Sequence, residues 1–197
     1  MGQPPNVSIE PTSPEHTDEL LAFEIENRRF FEPWIAGRGD DHCSVENVRQ
    51  SLSRADDDRD GDRAYHYLVR AQDVLIGRVN LRAVERGHVD RASVGYRIGG
   101  RHGGRGYASE AVRLALVEAF GSLGLWRVEA AVTADNAASQ SVLRRNGFRR
   151  YGHSTRSVHL RGVWCDLYHY ERYRDDDAEQ SPDRRSRPDE RLVARSA

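Results

Sequence analysis

Apolar and polar positions along the chain change period several times, and each change marks an element. Val7 to Glu10 predicts a short first strand. Ser13-Pro14 then reads as a helix N-cap followed by proline at the first helical position. Leu20, Leu21, Phe23 and Ile25 give that helix an apolar face up to about Asn27. Phe30-Phe31-Glu32-Pro33-Trp34 reads as an aromatic loop stopped by its proline. A second, weakly patterned helix is expected from Cys43 to about Arg54, followed by an acidic loop from Asp56 to Asp62.

From Tyr65 the period becomes that of strands. Tyr65 to Arg70, Val74 to Val84 and Ala92 to Ile98 predict an antiparallel meander, turned at Gln72-Asp73 and at Arg86-Gly87-His88. A glycine-rich loop then leads into a helix whose Ala108, Ala111, Val112, Ala115, Leu116 and Ala119 recur at helical spacing. Leu114, Val117 and Phe120 add apolar surface on the other side, so burial over most of its circumference is expected. Gly121 to Gly124 ends it. Arg127 to Thr133 reads as a strand, and Asp135-Asn136 caps a short helix to Arg145 that Asn146-Gly147 ends. Phe148 to Leu160 and Val163 to Tyr173 predict a final hairpin around Arg161-Gly162. The pattern is mixed α/β, of α+β type: one domain over residues 1–173, with 174–197 as a disordered charged tail.

Composition narrows the function classes. With 197 residues, 38% hydrophobic and 31% charged, the chain can build one full core. The net charge is −1, so no global field would hold DNA or an acidic membrane, and neither partner is expected. All 30 basic residues are arginine. Cys43 and Cys165 make neither a disulfide framework nor a zinc site, and His102 has no metal-ligand neighbour, so no metal is expected. The first ten residues lack a basic and apolar leader, and Asn6 breaks the myristoylation pattern, so a cytoplasmic protein is expected.

The most informative stretch runs from Val94 to Ala111, a strand entering a loop with glycines at 99, 100, 103, 104 and 106 and then a helix. Glycines let successive N–H groups converge on one point, and the helix N-terminus adds unpaired donors, which together suit a pyrophosphate. A Walker loop needs a lysine that this chain lacks. A Rossmann fingerprint fails at Ser109 and after an antiparallel meander. The remaining pattern, R-x-x-G-x-G, is met by Arg101, Gly104 and Gly106.

That loop resembles the acetyl-coenzyme A loop of the GNAT N-acetyltransferase superfamily. Asn136-Ala-Ala-Ser139 with Gly147-Phe148 is similar to the superfamily's second signature, and Phe31-Glu-Pro-Trp34 with Gly147-Phe-Arg-Arg-Tyr-Gly152 resembles the RimJ/RimL-like branch, which acetylates protein N-termini. The resemblance covers roughly residues 7–173 and implies the GNAT fold, a central twisted, mixed, mostly antiparallel sheet of about seven strands flanked by about four helices. It also implies acetyl-CoA as acyl donor. Tyr96, Arg97 and Ile98 would pair with pantetheine through main-chain groups. Arg101, His102, Gly103, Gly104, Arg105, Gly106, Tyr107 and Ala108 would wrap the pyrophosphate, Asn136 would bond the pantetheine arm, and Ser139 would face the thioester sulfur.

The implied reaction is direct acetyl transfer to an amine, with a backbone N–H near Ile98 polarising the carbonyl. The superfamily's usual acid, a tyrosine, is Leu143 here, so the resemblance assigns the acid to Ser139, against the ordinary helical serine that bonds its own preceding turn. Positions where relatives carry a carboxylate base hold Ser93 and Val158. An α-amine has a pKa of about 8 against about 10.4 for lysine, so this lack favours an α-amine acceptor reached through water. Phe31, Glu32 and Trp34 are the candidate acceptor-binding residues. Glu32, His66, Tyr67 and His159 are candidates for aligning the amine, with a structural role the commoner fate of such residues.

Several features keep two readings. The acidic run is a solvated loop or a lure for a cationic tail, and Arg144, Arg145, Arg149 and Arg150 are surface charge or a phosphate contact. Trp164, Tyr168 and Tyr170 are core or a homodimer contact. For function, the protein N-terminus leads. Acetylation of a small amine (an antibiotic, a polyamine or an amino-acid derivative) and a non-catalytic acyl-CoA-binding domain are the alternatives.

Overall fold

Strand pairing organises the molecule. A computed structural model of the chain describes residues 6–34, 44–160 and 162–175. Among these, β1 (Ser8–Pro11), β2 (Tyr65–Ala71), β3 (Val74–Glu85), β4 (Arg91–Ile98), β5 (Arg127–Thr133), β6 (Arg149–Leu160) and β7 (Val163–Tyr173) form one sheet ordered β1-β2-β3-β4-β5-β7-β6. Every neighbouring pair is antiparallel except β4 and β5, which are parallel. The helices are α1 (Thr17–Phe31), α2 (Val45–Asp60), α3 (Tyr107–Val117) and α4 (Ala137–Arg145). This is the α+β arrangement expected. The β2–β3 hairpin turns where Gln72 and Asp73 both take positive φ, 50° and 66°, the backbone twist that suits a two-residue turn.

Alternation along the strands divides the apolar residues between two layers. On one face of the sheet Leu68 and Leu75 pack with Leu20, Phe23 and Phe31 of α1 and Val48 and Leu52 of α2. On the other, Val79, Leu81, Val94, Val128 and Val132 pack against Ala111, Val112, Ala115 and Leu116 of α3, with Leu143 of α4 closing the layer. Asn146, after α4, donates from Nδ2 to the carbonyl of Ser109 at 3.1 Å and so braces α4 against α3.

Four expectations are corrected. Phe30 and Phe31 belong to α1 rather than to a loop, because Phe23, Asn27 and Phe31 continue one buried stripe at four-residue spacing. The second helix extends past Arg54 to Asp60, because Val48, Leu52 and Ala55 bury one face while the acidic residues ride on the others. The run from Asp56 to Asp60 is therefore helix, with Arg59 paired to Asp56 at 2.8 Å, and the loop contracts to Gly61 and Asp62. The third helix has a wet side, since Val117 is 55% exposed, and it ends in a wider π turn over Glu118–Ser122. The aromatics of β7 divide: Tyr170 is buried, Tyr168 half-buried, and Trp164 lies exposed against His159. Cys43, Arg161 and the tail beyond Asp175 lie outside the described residues. Among the described residues no helix is long and apolar enough to cross a membrane.

Candidate active site

The site begins where the sheet divides. β4 and β5 pair only from Arg91 to Ser93 against Arg127 to Glu129. Beyond that point β4 stays with β3 as far as Ile98, and β5 stays with β7 as far as Thr133. The two strands diverge, and among the described residues the facing edges after Ser93 and Glu129 have no strand partner. Backbone donors and acceptors inside a fold demand partners, so this opening suits an extended ligand with amide groups of its own.

The glycine loop closes the upper end of the opening. The N–H of Gly99 donates to the Ile76 carbonyl at 2.8 Å, and that of Gly100 to Asn27 Oδ1 at 3.0 Å. A short 3-10 turn follows, with His102 N–H donating to Gly99 and Gly103 N–H to Gly100. Gly104 and Gly106 then take φ values of 72° and 83°, left-handed conformations that cost a side-chain-bearing residue about 1–2 kcal/mol. The first helical bond of α3 runs from Glu110 N–H to the Gly106 carbonyl. Among the described residues no protein group accepts from the amides of Gly104, Arg105, Gly106, Tyr107 or Ala108. Free amides at the positive end of a helix dipole fit a diphosphate. Arg101 is exposed and ion-paired with Glu26 at 2.9 Å, Arg105 is exposed, and His102 meets the edge of Tyr107.

Asn136 and Ser139 stand at the N-terminus of α4. Asn136 caps the helix, its Oδ1 accepting the Ser139 N–H at 3.0 Å. The Tyr96 hydroxyl, from β4, lies 2.8 Å from Ser139 Oγ and 3.1 Å from the Ser139 carbonyl oxygen. Burial pushes the Tyr96 phenol up to about 12, so it stays protonated at neutral pH. The β4 strand and the two α4 residues singled out in the sequence are thus brought together.

On the α1 and α2 face, the chemistry differs from the sequence picture. Phe31 is 5% exposed, packed on Phe23, with the Arg97 guanidinium 5.4 Å from its ring centroid. Glu32 pairs with Arg28 at 2.9 Å, and Trp34 is 40% exposed. Glu24 of α1 pairs with Arg97 and lies 3.7 Å from Arg78, and Glu129 of β5 pairs with both Arg91 and Arg127. His66 opposes Asn80 on the neighbouring strand, and its imidazole is held below the usual range by burial and then by Arg78. Tyr67 packs in the α3 layer instead, its phenol pushed up to about 12 by burial. His159 rests on Trp164 away from these groups, and Val158 faces Cys165 across the last hairpin.

Three participants escaped sequence reasoning: Asn27, Glu24, and the contact of Tyr96 with Ser139. Asn27 left the one usable signal, a polar residue four places after Phe23 and four before Phe31 on a buried stripe. Among the described residues no group of three or more His, Cys, Asp or Glu side chains is placed to hold a metal ion.

Comparison with known proteins agrees with this geometry. Residues 6–149 match the family model described as an acetyltransferase (GNAT) domain. A probable N-acetyltransferase, YjcK of Bacillus subtilis, is 35% identical over 162 residues, covering 81% of this chain and 90% of the relative. The ribosomal protein uS5 alanine N-acetyltransferase of Escherichia coli is 27% identical over 149 residues, covering 75% of this chain and 77% of that protein. Among solved structures, the ribosomal-protein-S5-alanine acetyltransferase of Vibrio fischeri superposes with a TM-score of 0.83 at 21% identity, covering 89% of this chain and 97% of its own. A spermidine N-acetyltransferase from Vibrio cholerae superposes with a TM-score of 0.75 at 17% identity, covering 87% and 97%. The divided sheet, the glycine loop with its free amides and these matches lead to one conclusion: the chain belongs to the GNAT acetyltransferase family.

Proposed function

We propose that this acetyl-CoA-dependent N-acetyltransferase delivers its acetyl group to the α-amine of a protein N-terminus. One observation carries the choice of acceptor. Among the described residues, the face of β4 turned toward α1 and α2 carries Arg91, Ser93, Gly95 and Arg97 and no carboxylate of its own to take a proton from an amine. The carboxylates that contact β4 side chains there are engaged by arginines, Glu24 with Arg78 and Arg97, Glu129 with Arg91 and Arg127, and Glu85 with Arg91. An aliphatic amine with a pKa of about 10.4 would need a base, whereas an α-amine near 8 is partly neutral at cellular pH. The relative from Escherichia coli named for alanine acetylation of a ribosomal protein supports the same class.

The residues fit the donor. The amides from Gly104 to Ala108 would hold the diphosphate, the open edge of β4 would pair with pantetheine, and Ser139 would face the sulfur. The bound thioester supplies an activated acetyl group, and a β4 backbone N–H would stabilise the developing oxyanion.

The test is a thiol-release assay comparing peptides with a free N-terminal alanine or serine, the same peptides with blocked N-termini and a lysine, and spermidine. The free α-amine peptides are expected to react at least tenfold faster in kcat/KM. Equal or faster turnover of spermidine or of lysine would overturn the proposal.

A further inference from the structure

We infer that Tyr96 is a positioning residue that aims the Ser139 hydroxyl at the leaving sulfur. This rests on the reading of Ser139 as the proton donor above. The geometry is specific. A single phenol oxygen stands within hydrogen-bond distance of both oxygens of Ser139, at 2.8 Å from Oγ and 3.1 Å from the carbonyl. The carbonyl can only accept, whereas Oγ can give or take. Two proton arrangements therefore share the same heavy-atom positions. In one, Tyr96 donates to the carbonyl and the serine proton points at Tyr96. In the other, Tyr96 donates to Oγ, and the serine proton is released into the opening between β4 and β5.

Other contacts hold the serine still. Its N–H is fixed by Asn136 Oδ1, and α4 is braced to α3 through Asn146. With the backbone of Ser139 so held, the freedom that remains is in its side chain and hydroxyl, and Tyr96 is the described group that contacts the hydroxyl.

The transfer balances as follows. The amine nitrogen adds to the thioester carbon, and the C–S bond then breaks with its electron pair going to sulfur. Ser139 Oγ–H gives its proton to that sulfur while Tyr96 O–H strengthens its bond to Oγ, so the serine oxygen carries less charge. The surplus proton of the new ammonium leaves through water and restores the serine. Tyr96 lends a hydrogen bond and ends as it began.

The experiment uses Tyr96→Phe, which keeps the ring in the core and removes only the hydroxyl, alongside Ser139→Ala and the double variant. The expected result is a fall in kcat of about 10–100-fold with the KM for acetyl-CoA changed less than about twofold. The double variant should be no slower than Ser139→Ala alone. A second readout needs no turnover. The thiolate absorbance of bound coenzyme A, titrated against pH, should move to higher pH by about one unit in Ser139→Ala, which removes the donor to the charged sulfur, and in Tyr96→Phe, which removes the bond that aims that donor. Wild-type kcat and an unshifted thiol titration in Tyr96→Phe would overturn the inference, as would losses that add in the double variant. A wild-type protein that binds coenzyme A and transfers acetyl to no amine would overturn the functional reading instead, and the thiol titration would still decide the role of Tyr96.

Discussion

The side-chain oxygen of Asn27 accepts the N–H of Gly100 at 3.0 Å, tying the middle of α1 to the start of the glycine loop 73 residues later. Its Nδ2 donates back to the Phe23 carbonyl at 2.9 Å, so a buried amide is satisfied at both ends. A side chain on Gly99 would sit 2.9 Å from the same oxygen, which leaves room there only for glycine.

Asn27→Ala should therefore leave the Gly100 amide unpaired and cost about 1–3 kcal/mol of stability. Acetyl-CoA binding should weaken by roughly fivefold or more, because a loop that is no longer held must be ordered by the ligand. Thermal melts with and without acetyl-CoA, together with calorimetric titration, check both effects.

Gly104 separates backbone strain from ligand contact. Its φ is 72°, and an added Cβ would meet no protein atom within 4 Å. Gly104→Ala should cost about 1–2 kcal/mol for the left-handed backbone. Gly104→Asn, which tolerates that conformation better, should recover part of the stability. Neither should recover full affinity for acetyl-CoA, since each side chain projects from the loop where the diphosphate would lie. Denaturant midpoints and dissociation constants for the two variants make the comparison.

Glu24 holds Arg97 and lies near Arg78, two cations that are largely buried. Glu24→Gln keeps the shape and removes the charge. A loss of about 2–3 kcal/mol is expected, since the arginines stay charged with less compensation. Urea unfolding of the variant at neutral pH measures it, and an unchanged midpoint would contradict it.

His66 sets an acid limit on stability. Burial, then Arg78, lowers its folded-state pKa below the usual 6.5. The unfolded chain takes up the proton more readily, so it gains protons as pH falls through that value while the folded chain does not. The contribution of neutral His66 is complete above pH 6.5 and is lost below it, down to the lowered folded pKa. His66→Gln should flatten the decline of stability between about pH 7 and pH 5, as read from urea midpoints across that range.

Much of the element order was legible because strands and helices leave different periods. The meander from Tyr65 to Ile98 and the helix opening at Tyr107 fell where alternation and helical spacing placed them. The errors share a cause. Phe30 and Phe31 look like a loop before a proline until their helix is seen to pack on Phe23, and Asp56 to Asp60 look unstructured until Val48, Leu52 and Ala55 anchor the other side of the same helix. Charge and proline are local signals, whereas the burial that overrides them is not.

The sequence by itself determined the glycine loop. The spacing of Gly104 and Gly106, followed at once by a helix, dictates left-handed backbone and a row of unspent amides, because backbone conformation is set by residues adjacent along the chain. Only the tertiary structure decided where the sheet opens and what faces the opening. β5 leaves β4 after Glu129 yet stays paired along its whole length with β7, some 40 residues later. Tyr96 meets Ser139 across 43 residues, and Glu24 meets Arg97 across 73. Such meetings depend on how packed layers bring distant segments together, and no local pattern encodes them.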